Sequence, residues 1–217
     1  MGRLIAVLLL ILIVPVQGYG RQPLERAVWV AYRCDAEEKC YRGTAFHIGT
    51  GIFYTNAHVA IEHKGFGPLS IARGISFKDR LGTASIMCLN RRALTVGGIA
   101  SPYDIAKIRL LKPPSLRLDV PALETAVTGL RSGLSVTIIG YPGGSWTPVV
   151  STADIEEVEG DTFSLRLTSG RAGPGSSGSP VLNERNQVIG ILFGMDPADQ
   201  LFYATTLRFA DRVCTPR

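Results

Sequence analysis

Residues 41–59 read YRGTAFHIGTGIFYTNAHV, and this stretch decides how the chain is built. Tyr41 to Ile48 is rich in strand formers, Gly49-Thr50-Gly51 is a tight-turn signal, and Ile52 to Asn56 resumes as a second strand. His58 falls just past that strand, at the start of a short turn. The same pattern repeats on both sides. Upstream, Arg26 to Arg33 (RAVWVAYR) predicts a strand, followed by a polar turn at Asp35 to Lys39. Downstream, strands are expected at Ser70 to Phe77, Thr83 to Leu89 and Ile105 to Leu111. Lys112-Pro113-Pro114 then breaks the pattern, and Ser115 to Gly133 reads as a connecting segment. A second set of strands covers Leu134 to Gly140, Pro148 to Val158, Thr162 to Thr168, Pro180 to Leu182, Val188 to Phe193 and Leu201 to Thr205. Thr206 to Val213 is suited to a short closing helix. The expectation is an all-β chain in two halves: residues 19–114, a linker over 115–133, and residues 134–217.

Composition agrees. The 217 residues are 46% hydrophobic and 19% charged, which suits a packed core and excludes a disordered tail or a coiled coil. The formal charge of +5 comes from scattered basic residues. Arg73, Lys78, Arg80, Arg91 and Arg92 are interrupted by apolar residues and lack interleaved aromatics, so no nucleic-acid partner is expected. The first residues read as a targeting segment: Arg3, then the apolar run Leu4 to Val14, then Pro15, with Val16 and Gly18 small enough for signal-peptidase cleavage. Residues 1–18 are therefore expected to be a signal peptide, its apolar run too short to span a bilayer, and the mature protein to be secreted or periplasmic. A retained anchor is the alternative. Export makes an even set of cysteines, Cys34, Cys40, Cys88 and Cys214, read as two disulfides. Three pairings are possible. The turn at Asp35 to Lys39 can bring Cys34 to face Cys40, which leaves Cys88 for Cys214. The spacing matches no zinc motif, and no metal or other cofactor is expected.

Three local motifs carry chemistry. Thr55-Asn56-Ala57-His58-Val59 presents a histidine, Tyr103-Asp104-Ile105-Ala106 an aspartate before an alternating strand, and Gly175-Ser176-Ser177-Gly178-Ser179-Pro180 a serine in a small-residue turn. Each alone has an ordinary structural explanation, but together they stand in the order His, Asp, Ser, with His58 and Asp104 in the first half and Ser177 in the second. A serine hydroxyl becomes nucleophilic when a neutral imidazole accepts its proton. A carboxylate on the far ring nitrogen fixes the tautomer and stabilises the imidazolium. The backbone N–H groups of Gly175 and Ser177 are candidates for an oxyanion hole.

These residues, with Gly43-Thr44-Ala45-Phe46, resemble the signature blocks of trypsin-like serine peptidases, particularly the bacterial glutamyl-endopeptidase and HtrA/Deg-type branches. Gly140-Tyr141-Pro142-Gly143, Ser177 to Glu184 and Val188-Ile189-Gly190-Ile191 resemble the first branch, and Pro174-Gly175 the second. The resemblance covers residues 27 to 213. It implies two perpendicular six-stranded Greek-key β-barrels with the active site in the cleft between them, and a serine endopeptidase acting on protein or peptide, as a monomer. A non-catalytic double-barrel binding module is the alternative, disfavoured because all three triad members and the oxyanion glycine are present.

Two positions depart from the glutamyl-endopeptidase pattern, which has Thr where this chain has Ala172 and His where it has Leu192. The substrate pocket is expected to be lined by Ala172 and Leu192 with Phe193 beside the substrate, and to prefer small or medium apolar residues. Arg171 is expected to face solvent; folded inward it would instead select an acidic side chain. His47 and His63 are read as structural, and Asp154, Glu156 and Glu157 as a solvated cluster rather than a calcium site.

Overall fold

The computed structural model describes residues 23–62, 64–74, 79–90, 103–111, 120–127 and 129–214. The targeting segment, His63, Lys78, Arg91, Arg92 and the Lys112-Pro113-Pro114 break lie outside them. Two closed six-stranded antiparallel barrels form, as expected. The first comprises β1 (Val28–Cys34), β2 (Cys40–Gly49), β3 (Ile52–Thr55), β4 (Ser70–Arg73), β5 (Asp79–Leu89) and β6 (Ala106–Leu110), closed in the order β1-β2-β3-β6-β5-β4. The second comprises β7 (Ser135–Gly140), β8 (Val149–Glu159), β9 (Thr162–Ser169), β10 (Pro180–Leu182), β11 (Val188–Asp196) and β12 (Leu201–Thr206), in the order β10-β11-β12-β9-β8-β7. A one-turn helix α1 (Ala57–Ala60) follows β3, and α2 (Leu207–Val213) follows β12.

The near-continuous apolar run of β1 has a simple cause: both of its faces are buried. Trp29 and Ala31 point into the first barrel's own core, while Val28, Val30 and Tyr32 point into a second cluster that joins the barrels. The alternation continues through β2 and β3, where Ala45 and Phe53 fill the barrel and Phe46 and Tyr54 the joint. From the second barrel, Ile139, Tyr141, Leu182, Val188 and Ile191 complete the joint. Each Val, Leu, Ile or Phe side chain fully buried there contributes roughly 1.5–3 kcal/mol, so this cluster holds the two barrels together.

The closing helix starts one residue later than expected, because Thr206 serves as its cap: its Oγ1 accepts from Phe209 N at 3.2 Å. Leu207, Phe209 and Ala210 then bury into the inter-barrel cluster. The helix ends against the first barrel, where Tyr54 donates to Asp211 and a disulfide joins Cys214 to Cys88 on β5. The second disulfide joins Cys34 to Cys40, which stand opposite each other in the β1–β2 ladder. Among the described residues no helix is long and apolar enough to cross a membrane.

Candidate active site

The site grows from strand register. In the β3–β6 ladder Thr55 stands opposite Ala106, so the residues just past Thr55 lie beside those just before Ala106. That brings His58, on α1, against Asp104. The Asp104 carboxylate grips His58 twice: Oδ1 accepts from the His58 backbone N at 2.8 Å, and Oδ2 bonds ring Nδ1. Since a carboxylate accepts, Nδ1 carries the proton and Nε2 is left as the basic nitrogen. Asp104 is buried, and its main-chain carbonyl accepts from Asn56 Nδ2 at 2.6 Å.

Sequence reasoning had missed three supports. Asn56, fully buried at the N-terminus of α1, spends its amide on Asp104 instead of capping the helix. Arg33, also buried, donates from Nε and Nη2 to the Ala60 carbonyl at the end of α1, and from Nη1 to Gly67 O. Burial lowers its pKa. Thr44 on β2 binds the serine loop, with its N donating to Ser177 O at 2.7 Å and its Oγ1 to Gly175 O at 2.8 Å. Arg33 stands near the end of an otherwise apolar run, and the partners of all three are far away in sequence. Asn56 and Thr44 stand inside quoted motifs, but nothing local marks what they bind.

The Ser177 loop is shaped by two glycines. Gly178 has φ +89, and a Cβ there would lie 2.1 Å from the Thr44 carbonyl oxygen; Gly175 has φ +93, and a Cβ would lie 2.5 Å from Tyr141 O. Both positions need a left-handed backbone and close approach to other main chain, which only glycine allows without strain. Gly43 has the same tightness, with a Cβ meeting Val59, the neighbour of His58, and Ser177 O at 2.9 Å. The histidine helix and the serine loop thus converge on one glycine of β2. Among the described residues the amides of Gly175 and Ser177 donate to no protein acceptor, leaving both open to a ligand. Ser176, just before Ser177, is buried, and its Oγ accepts from Gly173 N.

Beside Ser177 opens a pocket of about 170 Å³ lined by Gly173, Pro174, Ser176, Leu192, Phe193, Met195 and Phe202 among others. Leu192 and Phe193, two of the residues expected at a substrate pocket, both line this cavity. Ala172 is not in the wall: it packs against the core of the second barrel. Met195 and Phe202, which stand opposite each other in the β11–β12 ladder beyond a register shift between Leu192 and Gly194, line it instead. Arg171 is exposed, its backbone tied on both sides to Ser151 Oγ. Among the described residues no charged side chain lines the pocket.

His47 is buried in a structural setting. Its Nδ1 donates to Pro121 O, its Nε2 accepts from Gly51 N, and burial pushes its pKa down. Glu156 pairs with Arg166. Among the described residues no group of three or more His, Cys, Asp or Glu is placed to hold a metal ion.

A double barrel with histidine and aspartate on one half and a glycine-framed serine loop on the other is the architecture of trypsin-like peptidases. The family model of the trypsin-like peptidase domain matches residues 43–191, and the chain belongs to that family. It is 30% identical over 192 residues to the serine protease MT3772 of Mycobacterium tuberculosis (strain CDC 1551 / Oshkosh), aligning 81% of this chain with 41% of that protein. The chain therefore spans well under half the length of that curated relative. Among solved structures it is similar to the Rv3671c protease from M. tuberculosis in its active form, with a TM-score of 0.64 and 21% identity over 89% of this chain and 83% of that one. It is also similar to the serine endoprotease from Yersinia pestis, with a TM-score of 0.67 and 16% identity over 88% of this chain and 62% of that one. At these identities the solved structures speak for the fold.

Proposed function

We propose that the chain is an extracytoplasmic serine endopeptidase using Ser177, His58 and Asp104, without a cofactor. Ser177 Oγ attacks the scissile carbonyl carbon while His58 Nε2 takes the hydroxyl proton. Asp104 holds Nδ1–H and stabilises the imidazolium. The anionic oxygen of the tetrahedral intermediate is received by the amides of Gly175 and Ser177. Collapse breaks the C–N bond, and His58 returns the proton to the leaving amine. Water, deprotonated at His58, then cleaves the acyl-enzyme and frees a carboxylic acid.

The observation that carries this reading is the double grip of Asp104 on His58, which fixes the tautomer a general base needs. The two unoccupied amides beside the serine supply the second requirement, charge stabilisation. The disulfides fit an oxidising compartment, hence secretion or a periplasmic location, and the apolar start at residues 1–18 is read as the signal that delivers the chain there. The apolar pocket supports cleavage after small or medium apolar residues, since a carboxylate or ammonium buried there without a partner would cost several kcal/mol.

The test is casein hydrolysis, followed by a peptide library. Ser177→Ala is expected to abolish turnover with the fold unchanged by circular dichroism. Cleavage is expected after Ala, Val or Leu; dominant cleavage after Glu or Asp that disappears in Arg171→Ala would overturn the apolar assignment. Parent-like casein hydrolysis by Ser177→Ala would overturn the triad.

A further inference from the structure

We infer that Tyr41 and Arg33, which face each other across the β1–β2 ladder, are positioning residues for the general base: they hold α1, and the ring it carries, against Asp104. This rests on the peptidase reading above and deepens it. The starting point is that α1 cannot hold itself. It has four residues, far below the about 12 at which an isolated helix becomes even marginally stable, and Asn56 at its start makes no capping bond. Its place must come from what packs on it.

The pleat of the hairpin supplies those contacts. Trp29 stands opposite Ala45, Ala31 opposite Gly43 and Arg33 opposite Tyr41, so these side chains share one face of the two strands. At the inner end of that face Trp29, Ala31 and Ala45 lie in the first barrel's core, in the same cluster as Val59 and Ala60 of α1. On the middle rung Gly43 leaves room for Val59, whose Cγ2 would lie 2.5 Å from a Cβ there. The outer rung reaches the rest of the helix. Arg33 donates from Nε and Nη2 to the Ala60 carbonyl at 3.3 and 2.9 Å, and from Nη1 to Gly67 O at 2.8 Å. A cation on the last carbonyls of a helix is favourable. Gly67 is fixed in turn, since its N donates to Cys34 O at 2.8 Å. The next rung is Cys34 opposite Cys40, where the disulfide ties the two strand ends together.

Tyr41 acts on the ring itself. Asp104 holds that ring at Nδ1, and a histidine ring torsion is broad and two-fold, so Nε2 can rock about this bond unless something meets the ring. The Tyr41 ring meets it, with centroids 6.3 Å apart and planes at 82°, the edge-to-face arrangement that aromatic pairs favour. Tyr41 is half-buried, and its phenol is kept neutral beside the pair because burial, and then the charge of Asp104, push its ionisation up. One rung of the hairpin thus fixes both the end of α1 and the plane of the imidazole, and with them the direction of Nε2.

The experiment separates positioning from contact with substrate. A nitrophenyl ester of a short apolar acid acylates Ser177, and decay of the acyl adduct is followed by mass spectrometry, with active sites counted by fluorophosphonate. Deacylation needs His58 to activate water, and no chain then remains beyond the scissile bond. Tyr41→Leu is expected to slow it roughly three- to tenfold per active site, the rate equivalent of one aromatic pair, and to lower kcat on peptides by the same factor. Tyr41→Phe keeps the ring and should match the parent. Arg33→Lys keeps the charge but not the fork that spans Ala60 and Gly67, and should slow deacylation by a similar factor. Circular dichroism checks that each variant is folded. Parent-like deacylation in Tyr41→Leu and Arg33→Lys would overturn this inference and leave the peptidase reading standing. Slowing confined to peptides with residues after the bond would do the same, by making Tyr41 a wall for substrate. An equal loss in Tyr41→Phe would overturn the role of the ring. A parent that takes no fluorophosphonate on Ser177 would overturn the peptidase reading and this inference together.

Discussion

Asp104 is the residue on which the proposed chemistry turns, because its two oxygens set both the position of the His58 backbone and the tautomer of its ring. Asp104→Asn keeps the shape but offers an NH₂ to Nδ1, favouring the wrong tautomer; kcat should fall about 10⁴-fold, the loss this change causes in another Ser-His-Asp peptidase. Asn56→Ala removes the amide that holds the Asp104 carbonyl, and the small misplacement that follows should cost on the order of 10–100-fold in kcat with KM little changed. Both are read from steady-state kinetics. His47 governs stability instead. Burial disfavours its charged form, so the unfolded chain binds the proton more readily than the folded one. The contribution is intact above about pH 6.5 and is lost as pH falls below that value, where the unfolded histidine protonates. Denaturant melts at pH 7.5 and 5.0 should show this loss, and His47→Gln should reduce it. His58, Asp104 and Ser177 were legible because each lies in a short motif whose neighbours constrain the chain locally. Asn56, Arg33 and Thr44 were not, because what they do depends on partners that only the folded barrel brings near.

Among the elements, strands were legible where alternation or a glycine turn bounds them, as at Gly49-Thr50-Gly51. The apolar run of β1 left its two faces unassigned, since burial on both sides removes the polar marker of an outer face. The wall of the pocket was harder still. Met195 and Phe202 line it as a pair across the β11–β12 ladder, and no local motif marks that pairing. The α2 helix was recognisable as a closing element and Cys88–Cys214 as its tie to the first half, but the bond of Tyr54 to Asp211 was not. Tyr103 packs on Phe209 of this helix with ring centroids 5.6 Å apart, immediately before Asp104. The Cys88–Cys214 bridge closes 126 residues and should contribute near 5 kcal/mol in the chain-entropy model, against roughly 2–3 kcal/mol for the six-residue Cys34–Cys40 loop. Paired Cys→Ala variants tested by urea melts are expected to rank in that order. Equal losses would show that native strain or residual unfolded structure, rather than loop length, sets the values.

At the scale of the whole molecule the two barrels meet through one apolar cluster, and the proposed chemistry lies across that seam: histidine and aspartate from one half, serine and oxyanion amides from the other. Thr44 and Gly43 are the hinge points of this assembly, so the site exists only when the halves are packed. Activity should depend little on the exact N-terminus. A switch that buries a newly cut ammonium needs a carboxylate just before the nucleophile, and Ser176 there is neutral and already bonded to Gly173. Variants with a few extra residues before Arg21 should match the parent in kcat/KM, and strict dependence on one N-terminus would contradict this. The central claim, that this seam activates Ser177, is tested most directly by labelling the folded protein with a fluorophosphonate and mapping the adduct by mass spectrometry. The account predicts one adduct per chain, on Ser177, suppressed in His58→Ala. A folded protein that takes no label, or takes it on another residue, would contradict it.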